Sequence, residues 1–337
     1  MDLPLLWAFI LAFAVLAYVV LDGFDLGIGI LFPFLKRHEN RDTAMNTVAP
    51  FWDGNETWLI LGGGGLFAVF PLAYAVLMPA LYAPIIAMLL ALIFRGVAFE
   101  FRWRTVRWRG VWDLSFFAGS LVAAFAQGVS LGAIVQGIEV SGRAYGGGWF
   151  DWATPFSMMT GVAVAVGYAL LGATWIVMKT EGPLNRLAAR YALFLGAGTV
   201  LAIAVVSAWM PFLQPSFYSR WLTFPQILAV APIPALVALS AWSLWKGLRN
   251  PISGRRPFLS ALALFALSFA GIGISFYPNI LPPALTIWQA AAPDSSLVFL
   301  LVGASVLIPL ILAYMTYSYW VFRGKVIEGE GYHTHGH

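Results

Sequence analysis

Uncharged apolar runs alternate with short charged connections along the whole chain. The first run opens at Leu3, is interrupted by Asp22 and Asp25, and resumes to Leu35, where Lys36, Arg37 and Arg41 close it. At about 1.5 Å per residue it outlasts a ~30 Å hydrocarbon core, so the first helix, about residues 5–35, must tilt or protrude. The next run, Thr57–Phe94, would be about twice the core thickness as one helix and must fold back. Pro71, Pro79 and Pro84 supply the breaks, and the expectation is a hairpin of helices at about 54–77 and 79–101. Further apolar runs predict helices at about 114–138, 155–178, 190–212, 222–245, 257–277 and 296–322, followed by a short tail, 323–337. The pattern reads as an all-α polytopic membrane protein of nine transmembrane helices in a single integral membrane domain, 1–337. Two four-helix bundles plus one peripheral helix is the expected arrangement.

The charge map orients this array. Sixteen of the 19 Lys and Arg fall in the connections after helices 1, 3, 5, 7 and 9. The other connections hold only Arg143 and Arg220, and Arg95 lies at the end of a span. This alternation places the N-terminus outside and the C-terminus in the cytoplasm. The net charge of +4 therefore reports membrane orientation and implies no nucleic-acid partner. Composition agrees: 61% of the 337 residues are hydrophobic and 10% are charged, against about 25% charged in soluble domains. The N-terminal segment begins Met1-Asp2 without a basic region and reads as the first membrane helix, not as a cleaved signal.

Two absences limit the chemistry. There are no cysteines, which excludes disulfides, iron–sulfur clusters and thiolate metal sites. The 4 histidines are His38, His333, His335 and His337, none of them in a span. Haem iron takes His, Met, Cys or Tyr as axial ligand, and a lone Met on an apolar face is usually packing. The chain is therefore expected to bind no haem and no metal of its own. The tail histidines read as a disordered end with adventitious metal affinity.

Asp22 and Asp25, three apart, share a helix face. An acid at mid-span costs roughly 2.5–3.5 kcal/mol on insertion scales, so it needs protonation, a cation or a wet cavity. Arg95 is the expected cation. Two roles stand open for the acids: a proton entry from the cytoplasmic side, or a buried structural ion pair. Gly23, Gly27 and Gly29 beside them permit close helix approach. Asp53 and Glu56 have the D-x-x-E spacing of a capping box before an apolar helix, with proton collection at the cytoplasmic mouth as the competing role. Gly62, Gly63, Gly64 and Gly65 imply that something presses on that surface, since each Gly costs about 1 kcal/mol in a helix.

Leu21-Asp22-Gly23-Phe24-Asp25-Leu26-Gly27 and Ala49-Pro50-Phe51-Trp52-Asp53-Gly54-Asn55-Glu56-Thr57-Trp58-Leu59 together resemble the signatures of subunit II of cytochrome bd-type quinol oxidases. The glycine run, Leu66-Phe67-Ala68, Pro71, Phe94-Arg95, Trp108–Trp112 and Leu285-Thr286-Ile287-Trp288 extend the resemblance over nearly the whole chain. It is compatible with the cyanide-insensitive branch.

The resemblance implies a haem-free subunit of a membrane quinol:oxygen oxidoreductase in the bacterial cytoplasmic (inner) membrane. Its partner would be a subunit I of similar fold carrying b- and d-type haems, the quinol site and the site of O2 reduction to water. Asp22, Asp25 and Asp53 match the family's acids on a proton path, with Glu56 beside them at a position where members differ. Arg95, Glu100 and Asn55 would be charge partners or structural residues, and Trp58 matches a residue near a lateral oxygen entrance. A small single-helix subunit, a structural quinone and bound lipid occur with some members. The competing readings are a proton-coupled secondary transporter and a purely structural assembly partner. Transporters usually show paired broken helices in two halves, and only one Gly-interrupted helix occurs here.

Overall fold

The computed structural model describes residues 2–35, 38–105, 107–250 and 254–326. The basic pair Lys36-Arg37 and the tail histidines His333, His335 and His337 lie outside the described residues. The helices are α1 (Leu3–Leu31), α2 (His38–Asn46), α3 (Trp52–Val69), α4 (Pro71–Ala80), α5 (Tyr82–Arg104), α6 (Arg109–Gln136), α7 (Pro155–Lys179), α8 (Gly182–Trp209), α9 (Pro215–Leu222), α10 (Gln226–Val230), α11 (Pro232–Arg249), α12 (Arg256–Phe276), α13 (Ile287–Ala290) and α14 (Asp294–Val321). Two short antiparallel hairpins, β1 (Val140–Ser141) with β2 (Ala144–Tyr145) and β3 (Asn279–Leu281) with β4 (Leu285–Thr286), decorate the same end of the molecule.

Among the described residues, eight helices or helix pairs are long and apolar enough to cross a membrane, beginning with Leu3–Phe34 and ending with Asp294–Val321. The pair α3 and α4 would add another span, but it is bent by 120°. This corrects the expected hairpin of 54–77 and 79–101. The chain turns at Phe70-Pro71, where Pro71 lacks the N–H needed to continue α3 and instead starts α4. It turns again at Leu81, the N-cap of α5. Pro79 is carried inside α4, and Pro84 sits in the first turn of α5, so neither makes the sharp break.

Helix α1 lies at the centre. It packs against α3, α6, α7, α12 and α14. α3, α5 and α6 gather on one side of it; α7, α8, α11 and α12 form the neighbouring group, and α14 lies at the periphery with most of its surface exposed. The α1–α7 crossing is close because it has no side chains at its centre. A Cβ on Gly27 would overlap the Tyr168 carbonyl oxygen, and one on Gly172 would overlap the Gly27 backbone. That closeness brings the second half of α1, Asp22 to Leu31, wholly into the interior.

The glycine run divides by face. Gly62 and Gly65 face Val15 and Leu11 of α1, whereas Gly63 and Gly64 are exposed with nothing of this chain near their Cβ directions.

Candidate functional site

The site is a buried knot of charge where α1, α3 and α5 meet. Asp22 and Asp25 come from α1, Asn55 and Glu56 from α3, and Arg95 from α5. Asp22, Asp25, Asn55 and Arg95 are each 0–1% exposed. Arg95 Nη1 lies 2.7 Å from Asp22 Oδ1 and 2.8 Å from Glu56 Oε1, and Nη2 lies 3.9 Å from Asp25 Oδ2. The Glu56 contact is a hydrogen bond; the Asp22 contact is an ion pair off the hydrogen-bonding direction. Asn55 Nδ2 donates to Asp25 Oδ2 at 2.7 Å and to the Leu21 carbonyl at 3.3 Å. Glu56 alone keeps contact with the outside, with 26% of its side chain exposed.

Helical spacing makes this convergence possible. Asp22 and Asp25 stand nearly one turn apart and both face Arg95. Close packing brings α5 within reach: Gly119 of α6 lies against the Ala91 carbonyl and the Arg95 backbone, where a Cβ would not fit. Arg95 then meets α1 with its guanidinium and not with its stem.

Three of the sequence-derived residues are placed elsewhere. Asp53 is exposed in the first turn of α3 and makes no side-chain bond to the cluster. Nor does it cap the helix. The N-cap is Phe51, without a side-chain bond, because α3 starts before Asp53: the Asn55 N–H already donates to the Phe51 carbonyl, and the preceding turn runs into the helix through Val48. Glu56 is thereby released from a capping box and reaches Arg95. Glu100 is exposed on α5. Trp58 is 1% exposed, and its Nε1 donates to Met315 Sδ at 2.9 Å, beside Tyr18 and Ala14.

Several neighbours carry no sequence signal of their own. Tyr319 of α14 donates to Asn55 Oδ1 at 2.9 Å. Above the acids, Tyr168 donates to Gln127 Oε1 at 2.7 Å and Gln127 Nε2 donates to Tyr18 Oη at 2.8 Å, joining α7, α6 and α1. A second charged knot lies toward the end of α5. Arg102, with its side chain fully shielded, pairs with Asp113 at 2.6 Å and Asp42 at 2.8 Å, while Arg41 pairs with Asp113 at 2.7 Å and Arg109 with Asp42 at 2.5 Å. The Arg102 guanidinium also lies 5.2 Å from the Phe32 ring centroid. Arg109 and Asp113 stand at i, i+4 on α6, yet Arg109 pairs with Asp42, and the burial of Arg102 depends on the same residue arriving from α2. Asp42 and Asp113 went unnoticed in the sequence for that reason.

The comparisons with known proteins agree with one another. The family cytochrome bd terminal oxidase subunit II matches residues 3–322. The chain is 30% identical to cytochrome bd-I ubiquinol oxidase subunit 2 of Escherichia coli K12, covering 97% of this chain and 96% of the relative. It is also 30% identical to cytochrome bd ubiquinol oxidase subunit 2 of Bacillus subtilis 168, covering 96% and 97%. In fold it is similar to a chain of the bd oxidase from Geobacillus thermodenitrificans, with a TM-score of 0.75 at 19% identity over 96% of this chain and 100% of that one. With its multi-pass helical fold and a match spanning nearly its whole length, the chain belongs to the cytochrome bd terminal oxidase subunit II family, whose members are subunits of an oxidoreductase complex.

Proposed function

We propose that this chain is the haem-free subunit II of a quinol:oxygen oxidoreductase and that its buried acids lead protons from the cytoplasm toward a haem-bearing subunit I. The observation that carries this reading is the charge balance of the site. Three carboxylates, Asp22, Asp25 and Glu56, converge on one guanidinium. Full ionisation would leave two negative charges unbalanced in a region shielded from water, at a cost of several kcal/mol per uncompensated ion. Shared protons restore the balance, and a site that must hold protons while one of its acids touches the surface is suited to passing them.

Glu56 is the mouth of this route, Arg95 joins it to Asp22, and Asp25 lies one turn nearer the cytoplasmic end on the same face of α1. Asp53, exposed one turn before Glu56, collects protons near the mouth. Reduction of O2 to water at the partner's haems consumes protons that cannot cross hydrocarbon unaided. The contribution of this chain is to hold water-compatible, titratable groups between packed helices. Among the described residues the only histidine is His38, in the first turn of α2 and outside the membrane-crossing helices, which is consistent with haem ligands residing in the partner.

The topology follows the same reading. α3, long enough at about 1.5 Å per residue to cross most of a ~30 Å core, serves as the second span. α4 then runs along the outer surface against the hairpin residues Tyr145, Leu281 and Leu285. That gives nine spans, N-terminus outside, in a bacterial inner membrane, with a small single-helix subunit and a structural quinone as optional companions. The exposed Gly63 and Gly64 form a flat strip suited to close packing by another chain, and Trp58 would border an oxygen path only by moving from its present seat against Met315.

Quinol-driven oxygen consumption by the purified two-subunit complex tests the proposal. Asp22→Asn/Asp25→Asn should lose most turnover while the reduced haem spectrum stays intact. Full turnover in that variant would leave the acids as a structural ion pair. A complex without haem bands would favour the transporter reading.

A further inference from the structure

We propose that Tyr319, near the end of α14, is a positioning residue for Asp25: its hydroxyl bonds Asn55 Oδ1 and holds the amide in place, so that the N–H face set by the Leu21 carbonyl stays on the Asp25 carboxylate. The inference rests on the reading of Asp25 as a proton-carrying group.

An asparagine side chain offers a donor face and an acceptor face of nearly the same shape, and only its partners decide which way it points. At Asn55 the Leu21 carbonyl, which can only accept, sets the orientation, and the Tyr319 hydroxyl then holds it by donating to Oδ1. Nδ2 serves two acceptors, Asp25 Oδ2 at 2.7 Å and the Leu21 carbonyl at 3.3 Å. Oδ1 accepts from the Tyr319 hydroxyl at 2.9 Å. The opposite orientation would set Oδ1 against the Leu21 carbonyl and the carboxylate, and would be tolerated only while Asp25 carries a proton that it donates to Oδ1. Such a bond would hold the proton in place. With Oδ1 turned to Tyr319 and Nδ2 to Asp25, a protonated Asp25 gains no acceptor from Asn55, and its proton stays free to move on.

Tyr319 is itself held firmly. Its ring stacks on Phe51 with centroids 4.3 Å apart and planes 5° apart. The end of α14 is tied to α7, because Lys179 Nζ donates to the Phe322 and Gly324 carbonyls and the Val326 N–H donates to the Lys179 carbonyl. Most of α14 faces outward, Tyr314, Tyr317 and Trp320 among its exposed residues. The side chains of Met315 and Tyr319, one turn apart, reach inward to Trp58 and Asn55.

The test uses the assembled oxidase. Tyr319→Phe keeps the ring on Phe51 and removes only the donor. The expected result is a fall in kcat of about 3- to 10-fold, the size of one lost hydrogen bond, with KM for quinol and haem content unchanged. The pH profile of kcat should be displaced. Asn55→Ala should give a similar fall, and the double variant should be no slower than the slower single one, because both act through one contact. Tyr317→Phe, on the exposed face, should match the unaltered enzyme. A Tyr319→Phe enzyme at full rate with the original pH profile overturns the proposal, as does a strictly additive double variant. If Tyr319→Phe does not assemble, fluorinated tyrosine at 319 keeps the ring and changes donor strength; a rate indifferent to fluorination then overturns it. Asp25→Asn separates the two levels. A fast Asp25→Asn enzyme removes the proton-path reading itself, whereas a slow Asp25→Asn beside a fast Tyr319→Phe removes only the role of Tyr319.

Discussion

Arg95 on α5 and Asp22 on α1 lie 2.7 Å apart with neither side chain exposed to any degree. A guanidinium stays charged under all ordinary conditions, so this pair fixes a permanent positive charge in the interior, around which Asp25 and Glu56 gather. Removing one member of a buried pair typically costs about 3–5 kcal/mol, because the other charge is stranded. Arg95→Leu should therefore abolish assembly of the haem-bearing complex or lower its thermal midpoint sharply. Arg95→Gln combined with Asp22→Asn should recover more assembled complex than Arg95→Gln alone, as read by haem per purified protein.

The α1–α7 crossing is a steric test of the fold. Gly27→Val would drive a side chain into the Tyr168 carbonyl, and backbone cannot yield as a flexible side chain can. The expected cost is about 3 kcal/mol or more, seen as loss of the complex from membranes. Gly63→Ala, at a position where this chain places nothing near the added methyl, should be tolerated by the isolated subunit.

The second charged knot separates stability from turnover. Asp113→Asn leaves Arg41 without a carboxylate partner and Arg102 to share Asp42 with Arg109. Thermal stability of the complex should fall by about 3 kcal/mol, while oxygen consumption per assembled haem should not change.

In the loop before α7, local order depends on pH through Asp151. The Gly148 backbone N–H at 2.7 Å and the Tyr145 hydroxyl at 2.8 Å hold the Asp151 carboxyl below its ordinary value of 3.8. The Tyr145 hydroxyl is in turn pushed up to about 12 by burial and by Asp151. A carboxyl depressed in the folded state contributes order above its unfolded pKa and loses it as pH falls through the folded one. Amide exchange at Gly148 should thus stay protected down to about pH 4 and rise only below it. In Tyr145→Phe the rise should begin at higher pH.

The centre of the site was legible in the sequence, because an acid within a span demands a partner and Arg95 stood apart from the basic residues of the connections; the structure seats it inside α5. Asn55 and Glu56 were visible through the dense motif that contains them. The capping role expected of Asp53 and Glu56 was overtaken by an earlier start of α3, whose first carbonyl, Phe51, already accepts from the Asn55 N–H. Pro71 could not be singled out from Pro79 and Pro84, since all three break helices equally on paper and only packing of α4 against the hairpins chooses. Tyr319, Gln127 and Tyr168 were invisible because each acts through a partner on a helix far away in the chain. Arg102 looked like one more cytoplasmic charge until Asp42 and Asp113 enclosed it.

The central claim is that protons enter through this chain. The direct measurement is proton uptake from the inner side by the two-subunit oxidase, oriented in liposomes and driven by quinol and oxygen. Asp25→Asn, with its haem spectrum intact, should take up protons at no more than about a tenth of the unaltered rate. Uptake at the full rate from the same side would contradict the account.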